Sequence, residues 1–321
     1  HDPALLGSNG AAAAAALGAD GGEVRLRDFA ALPGSTLPQG FLLKTTALLH
    51  SSFAEVLYID ADNVMLEDPT RLFFSKQFIR HGAIFWSDIS PVLSHMTAAM
   101  LRYVVGRPAG LAHLEQDLGV DSGQLLVNRT RHWRALALAD HFNRRGPNFF
   151  YIYLHGDKEL WRLAWVALGR RFHMVAAAPS AAGYVRAGSF CGHTMLQVDP
   201  SPPGAVLFAH RARYKFSHFP RDSRRKWTAI KRAGTSRASS LHCICDDVMA
   251  AGRGRCMDFD TDVDVSMIAT TGLQRLFDVE GILLELRGRL TLNGTQLAPD
   301  WWTFWGERGD GGQAGVTPPE S

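Results

Sequence analysis

The stretch from Val56 to Asn63 constrains this chain more than any other. Four apolar residues of β-strand type, Val56 to Ile59, end abruptly in two carboxylates one residue apart, Asp60 and Asp62. The run predicts a β-strand with polar residues at its carboxyl end. Residues i and i+2 at such an end can turn toward one ligand, and two hard oxygen donors suit Mg²⁺ or Mn²⁺. The pattern therefore predicts a metal site for a phosphorylated ligand.

Three other interpretations of these carboxylates compete with the metal site. Asp and Asn favour turns, so the pair could simply end a strand. A calcium loop is disfavoured, because the sixth and twelfth positions counted from Asp60 are Met65 and Arg71, where Gly and Glu are needed. A phosphatase of the haloacid dehalogenase type also carries Asp-x-Asp, and its first Asp forms an aspartyl phosphate. That motif normally lies on the first strand, whereas here it begins at position 60.

Further blocks follow the carboxylates in a fixed order. They are Leu66–Phe73, Gly82–Asp88, Asp121–Val127, Gly156–Lys158 and Leu207–Arg211. In that order the blocks resemble glycosyltransferase family 71, the fungal and algal α-mannosyltransferases, and more distantly the glycogenin-like retaining transferases. The resemblance covers roughly residues 40–217.

The resemblance implies an α/β fold of the GT-A type, a mostly parallel, Rossmann-like αβα sandwich that binds a nucleotide sugar at the carboxyl ends of its strands. It implies that Asp60 and Asp62 hold Mn²⁺ (or Mg²⁺) against the donor diphosphate, with Ala61 beside the donor. His210 matches the third metal ligand of related transferases, although an isolated His is more often structural. The metal would act as a Lewis acid on the leaving diphosphate.

A second block is implied to contact the transferred sugar. Asp121, Ser122, Gly123 and Gln124 open the predicted strand Leu125–Val127. The matching stretch of similar enzymes lines the sugar pocket, so Gln124 or Asp121 is expected to hydrogen-bond sugar hydroxyls, with Ser122 and Gly123 at the donor. Gly123 also permits a close approach of the backbone to a ligand. A turn or helix cap is the alternative for this block.

Asp157 is the predicted catalytic carboxylate. It precedes a run with helical spacing, residues 159–168, and an N-cap role alone would explain an acid there. In glycogenin-like enzymes the matching acid lies beside the anomeric carbon, as nucleophile or as stabiliser of the oxocarbenium ion. Lys158 is expected at the donor. Trp161 and Trp165, spaced i and i+4, are expected in the core rather than against sugar.

Cations flank the predicted site on both sides. Lys44 lies in a helical segment, residues 40–49, where family members carry a Lys that could pair with the donor phosphates. A solvated surface Lys is the alternative. Arg211, Arg213 and Lys215 follow the predicted metal ligand, and one or more of them could neutralise the diphosphate.

Composition limits the classes of function. A chain of 321 residues with 46% hydrophobic content can bury a full core. A net charge of +3 is too mild to argue for nucleic acid. No apolar run is long enough to span a membrane, so an anchor is expected only upstream of His1, as in a type II protein of the Golgi lumen. The four cysteines lack zinc spacing and could form disulfides there or stay free.

The chain is expected to divide into four parts. Residues 1–31 are rich in Gly and Ala and read as poorly ordered, with no strand to cradle a nucleotide, so an N-terminal truncation relative to the family is expected. Residues 32–235 form the GT-A domain and residues 236–305 a C-terminal appendage, in which positions 282–295 predict strand and turn. Residues 306–321 read as a disordered tail.

These observations predict a metal-dependent retaining glycosyltransferase. The expected reaction transfers α-mannose from GDP-mannose to a glycan or glycoprotein acceptor in protein glycosylation. Two alternatives stay open: a catalytically inactive GT-A-like glycan-binding or scaffold protein, and the phosphatase. Metal-dependent nucleotide binding would separate the transferase from the scaffold.

Overall fold

The computed structural model describes residues 40–91, 102, 106, 118–151, 154, 156–175, 177–186, 188–201, 205–212, 227–232, 241–245, 255–259, 265–267 and 274–292. The chain is an α/β protein with two sheets. Predictions for residues 1–31, Arg213, Lys215 and the tail 306–321 lie outside the described residues.

The first sheet has four strands in the order β1 (Glu55–Ile59), β4 (Leu118–Asn128), β3 (Ala83–Pro91) and β5 (His173–Val175). The strand β4 pairs antiparallel with both β1 and β3, and only β3 and β5 form a parallel pair. Three strands therefore point the same way, and β4 runs against them in the middle. A mostly parallel sheet was expected. Most strands do point the same way, but two of the three strand pairs are antiparallel, because the reversed strand β4 lies between β1 and β3.

Both faces of this sheet are covered, as period-2 alternation requires. Leu125 and Val127 on β4 lie in one hydrophobic cluster, and Leu126 lies in another on the opposite face. The helices α3 (Arg129–Arg144) and α4 (Lys158–Ala167) cover the first face. Trp161 and Trp165 of α4 are fully buried there, so the prediction that they belong to the core is confirmed. The helix α1 (Leu42–His50) packs on α3.

The second sheet is antiparallel in every recorded pair among the described strands. Its main path runs through β10 (Leu241–Cys245), β11 (Arg255–Phe259), β7 (Ser189–Val198), β6 (Ser180–Arg186), β9 (Ala229–Lys231) and β12 (Val265–Met267). A branch adds β8 (Val206–His210), which pairs with β7 and with the short β2 (Asn63–Met65). The chain thus passes from the first sheet to the second between β1 and β2.

Four more helices complete the described structure, and one of them is a π-helix turn, Gly146–Phe150, directly after α3. A 3-10 helix, Pro69–Phe74, and α2 (Lys76–His81) lead from β2 back to β3. The helix α5 (Gln274–Leu292) replaces the strand and turn predicted over 282–295 as far as residue 292, and residues 293–295 lie outside the described residues. Its Leu276, Val279 and Leu283 pack on the second sheet at helical spacing, and this contact outweighs the local alternation of residues 286–292. No helix within the described ranges is both long and apolar enough to cross a membrane.

Candidate metal and donor site

The turn from Asp60 to Asp62 lies where the two sheets meet. Asp60 directly follows β1, and its backbone N–H donates to the carbonyl of Gly123 on β4 at 2.9 Å. Asp62 precedes β2, whose Asn63 is in register with His210 on β8. The side chains of Asp60, Asp62 and His210 consequently converge, with ligand atoms within 4.8 Å of one another.

The donor set fits a divalent cation of the Mn²⁺ type. Two carboxylate oxygens are hard donors, and the imidazole nitrogen is a ligand that suits transition metals. These three residues are the one group of metal-ligating side chains found among the residues that the structure describes. The predicted ligand set is therefore brought together from three strands in two sheets.

Asp121 fixes the orientation of the His210 ring. The Nδ1 atom lies 2.8 Å from Asp121 Oδ1, and Nε2 lies 3.5 Å from Asp62 Oδ1. Because an ionised carboxylate only accepts hydrogen bonds, Nδ1 must carry the proton and Nε2 faces the acids. Burial lowers the pKa of His210, but Asp121 and Asp62 outweigh it and raise the pKa to about 10. A metal bound at Nε2 would displace the proton held there.

Gly123 provides the space that His210 occupies. A Cβ atom placed on Gly123 would lie 2.4 Å from His210 Nδ1 and 2.6 Å from Cε1, closer than real side chains approach. The predicted close approach at Gly123 is thus made by the imidazole ring. Any larger residue would push the ring out of the group formed with Asp60 and Asp62.

Asp121 has no open oxygen for a sugar. Its Oδ1 accepts from Gly123 N and His210 Nδ1, and its Oδ2 accepts from the side-chain amides of Gln124 and Gln197, all within 3.0 Å. Four acceptor sites are about all that a carboxylate offers. Burial raises its pKa, but His210 and these donors hold it well below the usual range.

The side chain of Gln124 is likewise committed to protein groups. It is fully buried, and its Oε1 accepts from Asn63 Nδ2 at 2.5 Å while its amide donates to Asp121. The geometry therefore gives Gln124 and Asp121 supporting positions behind His210. Their predicted hydrogen bonds to sugar hydroxyls would require breaking this network.

Lys44 lies between Asp60, a predicted metal ligand, and Asp157, the predicted catalytic carboxylate. Its Nζ lies 2.8 Å from Asp60 Oδ2, 2.9 Å from Ser122 Oγ and 3.6 Å from Asp157 Oδ2. Burial lowers the pKa of Lys44, but Asp157 and Asp60 outweigh that effect and hold it above its usual range. Lys44 is therefore part of the candidate site. The pairing of its ammonium group with the donor phosphates stays a prediction.

Asp157 is buried beside this lysine. It stands at the N-cap position of α4, but its side chain makes no cap hydrogen bond. Instead Oδ1 accepts from Ser122 Oγ at 3.2 Å, and Oδ2 accepts from Trp161 Nε1 at 2.9 Å. Asp157 thus occupies the N-cap position in the chain without capping the helix through its side chain. Its carboxylate faces Lys44 and Ser122 on β4.

Two predicted cations pair with acids outside this cluster. The Lys158 ammonium pairs with Asp88 Oδ2. The Arg211 guanidinium is buried, lies 3.3 Å from Glu280 Oε1 and stacks 5.6 Å from the centre of the Trp227 ring. The contacts of both cations with a donor diphosphate stay predictions.

Sequence reasoning missed several residues of the site. The Tyr58 hydroxyl donates to Asp60 Oδ1 at 2.6 Å, and β-strand alternation could have placed it there, two residues earlier on the same face. Burial, followed by Asp60, raises the pKa of Tyr58 far above its usual value. Gln197 and Glu280 carried no local signal, since only the pairing of β7 and the docking of α5 bring them near.

Comparison with known proteins identifies the family of this chain. The profile of the mannosyltransferase family Mannosyl_trans3 matches residues 23–102 and 110–199, more than half of the chain. The chain belongs to this family, which is glycosyltransferase family 71. The membership predicted from the sequence blocks is confirmed, and it favours a transferase over the phosphatase interpretation of Asp60 and Asp62.

Similar proteins are named as α-1,2-mannosyltransferases. MNN21 of Candida albicans is 31% identical over 201 residues, which are 50% of this chain and 30% of that protein. MNN22 of Candida albicans is 25% identical over 58% of this chain and 38% of its own length. MNN2 of Saccharomyces cerevisiae is 26% identical over 52% of this chain and 35% of its own length. The matches thus span about a third of each relative.

Proposed function

We propose that this chain is a metal-dependent, retaining α-mannosyltransferase that uses GDP-mannose as donor and a glycan as acceptor. One observation carries the proposal: a group of potential metal ligands, Asp60, Asp62 and His210, is joined through Lys44 to the buried carboxylate of Asp157. Donor activation and sugar transfer need these two functions side by side. Family membership supports mannose as the transferred sugar.

The fold proposed for the catalytic part is of the GT-A type. Three strands of the first sheet point the same way, and the turn after β1 carries the acids at a carboxyl end. Ligands of α/β sheets bind at such ends. The helices α3 and α4 cover one face of the first sheet, and strands of the second sheet cover the other, so the first sheet is the middle layer of three.

Mn²⁺ is the proposed cofactor, with Mg²⁺ as the alternative. When bound, the metal would supply positive charge to a diphosphate leaving group. Asp60 and Asp62 would hold it from the turn, and His210 Nε2 from β8, because Asp121 keeps the Nδ1 proton on the far side of the ring. Tyr58 and Lys44 hold the Asp60 carboxylate from both of its oxygens.

Asp157 is the proposed group at the anomeric carbon. In the transfer, the bond from C1 to the diphosphate oxygen breaks and its electron pair stays on the diphosphate. An acceptor hydroxyl oxygen forms the new bond to C1, and its proton passes to the departing diphosphate. Retention requires a negative group near C1, as nucleophile or as stabiliser of positive charge. Ser122 and Trp161 fix the Asp157 carboxylate by hydrogen bonds to both oxygens.

The lumen of the Golgi is the proposed location. Cys191 is disulfide-bonded, and such bonds form and persist in oxidising compartments. A luminal enzyme of this family would meet glycan acceptors on glycoproteins. Peptide mapping of the secreted chain under non-reducing conditions would test this bond, and a free Cys191 would remove this support.

Calorimetric titration of GDP and UDP, with and without Mn²⁺, tests the transferase proposal. We expect tight binding of GDP only when Mn²⁺ is present, together with transfer from GDP-mannose to an α-mannoside acceptor. A scaffold relative would bind neither nucleotide in a metal-dependent way. Hydrolysis of an aryl phosphate without transfer would instead indicate the phosphatase.

A further inference from the structure

A buried ion pair lies directly behind the metal-binding turn. Arg211 follows His210 in the chain, and its backbone N–H donates to the carbonyl of Asp62 at 2.8 Å. The backbone of one residue thus connects two potential ligands. The Arg211 side chain turns the other way into the protein and reaches Glu280 Oε1 at 3.3 Å.

Glu280 is placed on the apolar face of α5. It follows Val279 and precedes Leu283, both of which pack on the second sheet, and its side chain is fully buried. A buried carboxylate at such a place is costly unless it is paired. Arg211 Nη1 and the backbone N–H of Trp227 both donate to it, the latter at 2.9 Å.

A second path ties the same cluster to His210. Trp227 is fully buried beneath the Arg211 guanidinium, and its Nε1 donates to Thr194 Oγ1 on β7 at 2.6 Å. The next residue, Met195, is in register with His210. The Glu280 carboxylate is therefore linked to the end of β8 through Arg211 and through Trp227.

We propose that Glu280 is a positioning residue for the metal site, acting through Arg211 on the backbone that carries His210 and Asp62. The inference rests on the proposed function for its metal. It gives a role to α5, which lies beyond residue 199, where the family match ends, and within the expected appendage of residues 236–305. Trp227 and α5 become part of the structure on which metal affinity depends.

Two measurements on the whole chain test this role. Glu280→Gln removes the negative charge that lies 3.3 Å from Arg211 Nη1. We expect the Kd for Mn²⁺, measured by calorimetry, to rise about tenfold, which is typical when a residue that supports a metal ligand is replaced. Hydrogen exchange of peptides that contain Arg211 should become faster in the same variant. Arg275→Gln is the matched control, because it removes the exposed α5 pair with Glu67 and should change neither measurement.

The outcomes separate this inference from the proposed function. A folded Glu280→Gln protein with the parental Kd for Mn²⁺ and parental exchange at Arg211 would overturn it, as would a lower melting temperature with no change in either. If Glu280→Gln does not fold, Glu280→Asp, which keeps the charge but shortens the reach, is judged by the same two measurements. Failure of the parental chain to bind Mn²⁺ would refute the metal proposal, and exchange at Arg211 would still decide the anchoring by Glu280.

Discussion

Three carboxylates of the candidate site are held in different ways. Asp60 is bound at both oxygens by Lys44 and Tyr58, and Asp157 by Ser122 and Trp161, near the same lysine. Asp121 has all of its acceptor capacity in use behind His210. The partners of each acid, and not its type, decide which one can meet a substrate.

Asp157→Asn removes the charge at the proposed anomeric position while keeping the side-chain volume. An amide oxygen can still accept from Ser122 or Trp161, so the fold should persist. We expect kcat to fall about 10²-fold or more, because charge stabilisation in the transition state is lost. Affinity for Mn²⁺ should stay near the parental value, since Asp157 lies outside the ligand group.

Steady-state kinetics and proton NMR of the first product check this prediction. The parental product should be α-linked. A β-linked product, or an Asp157→Asn enzyme with a near-parental kcat, would remove Asp157 from the proposed mechanism. Asp68→Asn is a suitable control, because Asp68 caps an exposed 3-10 turn and should not affect kcat.

At the scale of elements, β4 and β8 come into contact where Gly123 lies against the His210 ring. In Gly123→Ala the new methyl group would meet the His210 ring at 2.4 Å, so the ring must move away from Asp60 and Asp62. We expect the Kd for Mn²⁺ to rise at least about tenfold. The melting temperature should also fall, because β4 or the His210 ring must shift to make room for the larger side chain.

Gly188→Ala serves as the control for this substitution. Gly188 has φ +82° at a turn where an added Cβ meets nothing within 4 Å, so only backbone strain is introduced. Its variant should lose some thermal stability without a change in Mn²⁺ affinity. Unaltered Mn²⁺ affinity in Gly123→Ala would show that His210 does not contribute to the metal site.

A group of histidines between α2, α3 and β5 predicts an acid-sensitive fold. His132 is buried in α3 and contacts the carbonyl of His81, and His81 lies 6.1 Å from the His173 ring. Burial is the first cause that lowers the pKa of each one below 6.5, followed by nearby Arg side chains or by His81. Their contribution to stability is therefore fully present above about pH 6.5 and is lost as the pH falls toward the folded pKa values.

Chemical denaturation between pH 7.5 and pH 5 would measure this effect, over a range chosen around the usual histidine pKa of about 6.5. We expect the free energy of unfolding to fall with pH in the parental chain. His132→Gln keeps a donor for the His81 carbonyl but cannot titrate, so its slope should be shallower. An equal slope in the two proteins would contradict the assignment to His132.

At the scale of the whole molecule, the candidate metal site lies at the turn where the chain passes from one sheet to the other. A ligand that binds only the native state stabilises it, by about 2.7 kcal/mol at a concentration of 100 times Kd. We therefore expect Mn²⁺ to raise the melting temperature of the parental chain. In Asp60→Asn the shift should disappear, since one ligand charge is lost and Lys44 keeps only its contacts with Ser122 and Asp157.

Thermal scans with increasing Mn²⁺ would check this expectation, with Ca²⁺ as a comparison ion. The Asp60→Asn chain should remain folded without metal, because Asp60 is not part of a hydrophobic cluster. A Mn²⁺ shift of equal size in Asp60→Asn would place the bound ion elsewhere. Transfer activity of Asp60→Asn should be lost in parallel with the shift.

The sequence by itself determined much of this protein. The apolar run before Asp60 predicted β1 and the acids at its end, helical spacing predicted α1 and α4, and the order of the blocks predicted the family. The strand and the helices are local properties, which depend on residues within a few positions of one another, whereas the family followed from the order of blocks along residues 40–217. Asp60, Asp62 and His210 were proposed as one group on resemblance, and the structure places them together.

Only the tertiary structure decided the partners of each side chain. The reversed direction of β4 brings Asp121 and Gly123 against His210, and the docking of α5 brings Glu280 to Arg211. Neither contact leaves a periodic signal, because the partners lie 89 and 69 positions apart in the chain. A buried charge is costly unless it has a partner, so strand pairing and helix packing must supply one across the whole core. This is why Arg211 and Asp121 turn inward. The local sequence shows them only as polar residues near a predicted site.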